Sequence, residues 1–237
     1  MAEFTVTGEI DPFLHISLQK GERIYCESDA MVMMEDTLDL SGQMTGGFMR
    51  ALVRRFANGE SFFQQHIEAV RGPGDCLLSP VLPGTLQILE VGATSYMISD
   101  GAFVAAETGV DLRARAQSIG NALFAQTGGF FIGEATGNGK LVVSGFGSGF
   151  MLDVAPGRDV VIDNAHVVAW DSRLRYEITI PNQNSGGLMG RLVNSVTSGE
   201  GVVLRFSGQG KVVICSRNRN AFVSWMRSEI RGSRTDR

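Results

Sequence analysis

Cysteine, histidine and charge are all scarce in this chain, and each shortage removes a class of function. Three cysteines and three histidines occur in 237 residues. Cys26, Cys76 and Cys215 are odd in number and far apart, with no Cys-x-x-Cys pair, so a thiolate metal site is not expected. Cys26 and Cys215 lie in apolar runs and read as small core residues. His15, His66 and His166 are scattered one to a region, whereas metal ligands cluster at short spacing. No apolar run is long enough for a membrane-spanning helix, and the start lacks the basic-then-apolar pattern of a secretion signal. A cytoplasmic, reducing location is the resulting expectation.

Catalytic signatures are missing as well. Gly139-Lys140 and Gly210-Lys211 invite comparison with a phosphate loop, but Glu134 and Arg205 stand where that loop needs its first glycine. Leu141 and Val212 stand where it needs a hydroxyl. Gly145-Phe146-Gly147-Ser148-Gly149 lacks the spacing of a dinucleotide fingerprint, and no Gly-x-Ser-x-Gly elbow exists. No catalytic, cofactor-binding or metal-ligating residue is assigned, no cofactor is expected, and the chain reads as not an enzyme.

Charged residues make up 19% of the chain, below the usual share of about 25%. The net charge of −4 is unevenly placed: residues 216–237 carry six arginines against Glu229 and Asp236, leaving the rest near −8. An acidic body speaks against nucleic acid as a partner, because phosphate contacts need a basic face. The basic tail reads as solvated, with an anionic surface as the alternative.

What the chain has in plenty is glycine, 30 residues, well above the ordinary share of roughly 7%. The glycines reveal internal similarity. Residues 46–60 match 186–200 at seven of fifteen positions, including Gly46-Gly47 with Gly186-Gly187 and Gly59-Glu60 with Gly199-Glu200. A Gly-x-Gly turn opens an apolar run three times, at Gly72-Pro73-Gly74, Gly137-Asn138-Gly139 and Gly208-Gln209-Gly210. Ala30-Met31-Val32, Ala102-Phe103-Val104 and Ala165-His166-Val167 form a third landmark, which sets His166 where large apolar residues belong. It reads as a core or interface histidine, with a pH-sensitive contact to Asp163 or Asp171 left open. Glu27, Asp100 and Asp163 precede this landmark and suggest turn capping or an interface contact. The landmarks define units at 1–88, 89–151 and 152–215, with a basic tail at 216–237.

Each unit reads as antiparallel strands, so the fold class is all-β. In the third, residues 150–154, 160–162, 167–170 and 176–180 are strands, with a turn at Ala155-Pro156-Gly157. Asn138-Gly139 is the best hairpin signal. Segments 48–56 and 188–196, and more weakly 114–124, space their apolar residues at three and four. They fit short amphipathic helices or extended excursions from the sheet, packed in the core or lying on a membrane or a neighbouring subunit. Residues 221–231 fit a helix capped by Asn220, whose stripe of Phe222, Trp225, Met226 and Ile230 is expected to dock on the sheet. A unit of this size has a thin core and open sheet edges, which favours pairing between units and closure into a ring.

Several residues carry a family resemblance: Glu27-x-x-Ala30-Met31, Gly46-Gly47, Gly59-Glu60-Ser61-Phe62-Phe63, Pro83-Gly84, Gly101-Ala102-Phe103, Val161-Ile162-Asp163 and Gly199-Glu200-Gly201. In their order and spacing the chain resembles a bacterial member of the altered inheritance of mitochondria protein twenty-four family, over residues 1 to about 220. The resemblance implies three tandem repeats of the fold of the tryptophan RNA-binding attenuation protein, a short double-stranded β-helix, assembled as a homotrimer. It implies no catalytic residues, and fold alone transfers no function. The expected function is that of a structural or interaction protein built as a pseudo-nine-unit ring. A ligand-binding or peripheral membrane-binding module is the alternative. The expected partners are the chain itself and a protein or membrane surface.

Overall fold

The computed structural model describes residues 2–43, 64–116, 131–179 and 203–232. The segments 48–56 and 188–196 and the landmarks Gly46-Gly47, Gly59-Glu60 and Gly199-Glu200 lie outside these residues. Nineteen strands and one long helix are found among the described residues. The first seven strands are β1 (Glu3–Thr7), β2 (Phe13–Leu18), β3 (Arg23–Glu27), β4 (Met31–Met34), β5 (Leu38–Gln43), β6 (Gln64–Ala69) and β7 (Gly74–Leu78). Then come β8 (Gly84–Val91), β9 (Tyr96–Ser99), β10 (Phe103–Glu107), β11 (Val110–Ala116), β12 (Phe131–Gly137) and β13 (Gly139–Phe146). The last six are β14 (Gly149–Val154), β15 (Val160–Asp163), β16 (Val167–Asp171), β17 (Arg175–Thr179), β18 (Val203–Ser207) and β19 (Gly210–Cys215). A short 3-10 turn, Asn164–His166, links β15 to β16, and helix α1 (Arg219–Gly232) follows β19. The chain is therefore predominantly β, as expected. No described helix is long and apolar enough to cross a membrane.

The strands form four sheets, ordered β1-β2-β7-β4, β5-β6-β3-β10-β13-β8, β11-β12-β9-β16-β19-β14 and β15-β18-β17. Every strand pairing is antiparallel. Alternation explains which faces are buried. In β2, Leu14, Ile16 and Leu18 point inward while Phe13, His15 and Ser17 do not, and β7 buries Gly74, Cys76 and Leu78 opposite them. Three apolar clusters result. One gathers around Leu14, Ile16, Ile24, Ile67 and Leu78. Another gathers around Phe103, Leu141, Val143, Ala169 and Val213, and the third around Trp170, Leu204, Phe206 and Val212.

The three Gly-x-Gly turns do open strands: β7, β13 and β19 begin at Gly74, Gly139 and Gly210. In the middle turn Gly137 (φ 92°) and Gly139 (φ 139°) hold the positive angles, while Asn138 does not. The glycines flank the asparagine, so the hairpin is not built on Asn138-Gly139 as a primed pair.

The landmark at His166 shifts by one residue. Met31, Phe103 and Val167 each open a strand and pair with Leu78, Val143 and Ile214. Each of the three strands then carries the same irregularity, before Met33, Ala105 and Ala169. His166 consequently stands with Ala30 and Ala102, and Val167 occupies the large apolar place. Ala165 thus lies one residue before the place of Ala30 and Ala102, despite the shared residue type. By the same pairing Ser99, not Asp100, stands with Glu27 and Asp163 at the end of its strand.

Candidate functional site

The strand order leaves two edges of unusual character. β3 is flanked by β6 and β10, and β9 by β12 and β16. Both junctions bury their side chains: Ile24, Tyr25 and Cys26 against Ala105 and Ala106, and Met97 and Ile98 against Ala169 and Trp170. Among the described residues β4 pairs only with β7, and β15 only with β18. Their apolar side chains stand in water: Val32 is 54% exposed, Met33 41% and Val161 55%. Val104 and Val168, which occupy the place of Val32 in β10 and β16, are buried. Tyr25 and Met97, which occupy the place of Val161 in β3 and β9, are buried too. Single exposed apolar residues are common, but two complementary bare strands are not.

One end of the molecule collects the polar features. Glu27, Ser99 and Asp163 close β3, β9 and β15 there, level with Gln64, Ile132 and Val203. A cleft of about 280 Å³ is lined by Glu27, Asp100, Arg217 and Arg219 beside Leu82 and Phe146. Burial pushes the Glu27 carboxyl up to about 7, Asp100 and Asp29 add to this, and Arg219 opposes it. Asp163 accepts a hydrogen bond from the Ala165 N–H at 2.9 Å and so caps the 3-10 turn, the capping role expected of an acid here.

At the other end a cleft lies between Tyr96, Asp153, Asp171, Arg173 and Lys211. Asp171 is almost fully buried and accepts bonds from the Arg173 N–H and guanidinium, which outweigh burial and hold its carboxyl low. This pair closes a turn and leaves its carboxylate engaged.

None of these places assembles a reactive group. All three cysteines are buried, and burial pushes the Cys26 and Cys76 thiols up to about 12, far from a nucleophilic thiolate. His15, His66 and His166 lie on β2, β6 and the 3-10 turn. His166 is half-buried, with Nδ1 2.7 Å from the Cys215 carbonyl. His66 is buried beside the Tyr25 ring, and burial lowers its pKa. Among the described residues no three of His, Cys, Asp and Glu converge as a cation site would require.

Helix α1 departs from expectation in two ways. Its cap is Asn218, whose Oδ1 accepts the Ala221 N–H at 3.0 Å; Asn220 is already helical. Its base docks where Phe222 meets the Phe146 ring edge-on at 5.2 Å. Beyond it Val223, Met226 and Ile230 are exposed, and Trp225 is 57% exposed. The sequence gives the apolar stripe but not how much of the body lies beneath it.

Similarity to known proteins is extensive. A family model described as mitochondrial biogenesis AIM24 matches residues 4–217. The uncharacterized protein M6_Spy0233 of Streptococcus pyogenes serotype M6 is 33% identical over 231 residues, covering 94% of this chain and 89% of that protein. The crystal structure of protein SPYM3_0169 from Streptococcus pyogenes superposes with a TM-score of 0.76 at 31% identity, over 97% of this chain and all of that one. Strands, spacing and matched length agree, and the chain belongs to the mitochondrial biogenesis AIM24 family.

Proposed function

We propose that this protein is a non-catalytic structural and interaction protein whose three tandem β units close, in three copies, into a pseudo-nine-unit ring. The strand order supports the unit reading. Adding six to each label of β5-β6-β3-β10-β13-β8 yields β11-β12-β9-β16-β19-β14, the order of the next sheet. Each unit is then six strands, β2–β7, β8–β13 and β14–β19, with links at 79–83 and 147–148. Each six-stranded sheet takes three strands from one unit and three from the next, so neighbouring units pair edge to edge. The earlier divisions at 88 and 151 fall within β8 and β14, so the links are the better boundaries.

The observation that carries the ring is the pair of bare edges. The second strand of each unit joins the third strand of the next, through β3–β10 and β9–β16. This rule leaves β4 without a predecessor and β15 without a successor. A second copy supplies both. In the register of the internal junctions, Met33 of one chain faces Ile162 of the next, and Met34 faces Val161. Such a head-to-tail contact is heterologous, and closing it by rotation gives every β4 and every β15 a partner. Three copies is the number the family resemblance implies.

Light scattering tests the proposal. The expected mass is that of three chains, unchanged on dilution. A stable single chain would overturn the ring, and a mass that grows with concentration would mean an open filament. Val161→Lys, on a residue already exposed in one chain, should yield folded single chains.

A further inference from the structure

We propose that helix α1 and the end of the molecule from which it rises form a docking face for an anionic lipid surface. The inference rests on the ring reading for its strength but not for its chemistry. Trp225, Met226, Ile230 and Val223, all exposed, span one half of the helix with Glu229 among them, while Asn220, Ser224 and Ser228 lie along the other. Arg217, Arg219 and Arg227 are exposed around the stripe, and Arg231 follows one turn after Arg227. Glu229 is the one acid of the helix. An aromatic-apolar stripe with flanking arginines lies at the headgroup boundary of a bilayer, where tryptophan is favoured. The arginines supply charge complementarity to anionic headgroups, against a body that is itself acidic.

Symmetry adds the second argument. A cyclic ring carries the same end of every copy on one side, so three helices rise from one face and meet one plane together. Each engages weakly alone, and three acting together bind through effective concentration. The backbone flanking the segments 44–63, 117–130 and 180–202 returns at this same end: Gln43 with Gln64, Ala116 with Phe131 and Thr179 with Val203.

Trp225 is also the reporter. The chain has two tryptophans, and Trp170 is fully buried, so vesicle-dependent changes in emission come from Trp225. The full-length protein is mixed with vesicles of phosphatidylcholine alone, and with vesicles that also contain phosphatidylglycerol. The expected result is co-sedimentation and a blue shift with the anionic vesicles only, both reversed by high salt. Arg227→Gln should weaken binding roughly fivefold for each copy that engages, since each loses one charge. Trp225→Asp should abolish binding with the oligomer mass unchanged, and Trp225→Phe should remove the blue shift while pelleting persists. No pelleting by an intact trimer overturns the proposal. So does a blue-shifted Trp225 without vesicles, which would place the helix against another copy. Weak, salt-sensitive pelleting by a protein that scatters as a single chain keeps the lipid face and overturns the ring.

Discussion

A Cβ on Gly139 would stand 2.7 Å from Oε2 of Glu107, the same oxygen that accepts the Lys140 N–H at 2.8 Å. The carboxylate occupies the space a side chain would need. Gly74 beside Glu35 repeats this relationship, since the Glu35 Oε2 accepts the Asp75 N–H, and Gly210 shares its crowding, with Asp171 in the space a side chain would need. Gly139→Ala is expected to cost about 1–3 kcal/mol in urea unfolding, from the collision and the positive φ. Glu107→Ala is expected to cost about 1 kcal/mol through the lost hydrogen bond. The double variant should cost less than the sum, because removing the carboxylate relieves the collision.

The Tyr25 hydroxyl donates to the Val110 carbonyl at 2.7 Å in a buried setting, and its ring stacks on Phe103 at 5.5 Å. Burial, helped by Asp111, raises the phenol pKa and keeps the donor protonated. Tyr25→Phe retains the stack and strands the carbonyl. The expected loss is about 1–3 kcal/mol in chemical denaturation, with an unchanged strand signature in circular dichroism.

Two groups, half-buried Glu27 and buried His66, tilt the pH dependence of stability in opposite directions. Between the ordinary carboxyl value of 4.5 and about 7, folded Glu27 holds a proton that the unfolded chain has released. Its contribution therefore falls as pH rises through that window. Glu27→Gln should raise stability above pH 7 by about 1 kcal/mol, after solvent screening of this partly exposed group. Arg219→Gln should deepen the wild-type loss, since Arg219 opposes the upward shift. His66 does the reverse: its lowered pKa keeps it neutral when folded, so stability falls as pH drops below the ordinary value of 6.5. His66→Leu should flatten that acid limb while leaving the Glu27 limb intact. Urea midpoints across the range check both.

The turns were legible in the sequence and the edges were not. Gly-x-Gly spacing is local chemistry, and it marked the starts of β7, β13 and β19 directly. Whether Val32 or Val161 is buried depends on which strand arrives beside it, which no local pattern encodes. The irregularity before Met33, Ala105 and Ala169 shifts register by one residue. A one-residue shift defeats letter matching, so His166 was aligned with Met31 instead of Ala30. The acids Glu35, Glu107 and Asp171 each stand four residues after Met31, Phe103 and Val167, a correspondence that the one-residue offset hides. The signal that could have found them was the constant presence of an acid a few residues before each turn into the next strand. The stripe of α1 is legible too, but an apolar face usually finds a core, and the pattern does not show that most of this one lies beyond the body.

The central claim is that β15 of one copy pairs with β4 of another, and a cross-link between chains tests it most directly. Met34→Cys and Val161→Cys are placed in one chain, where the three native thiols are buried. A short bismaleimide should then join chains through residues 34 and 161, in a ladder that ends at three. The single variants should give no ladder. Absence of interchain products from a folded double variant, or dimers formed by Met34→Cys alone, would contradict the pairing.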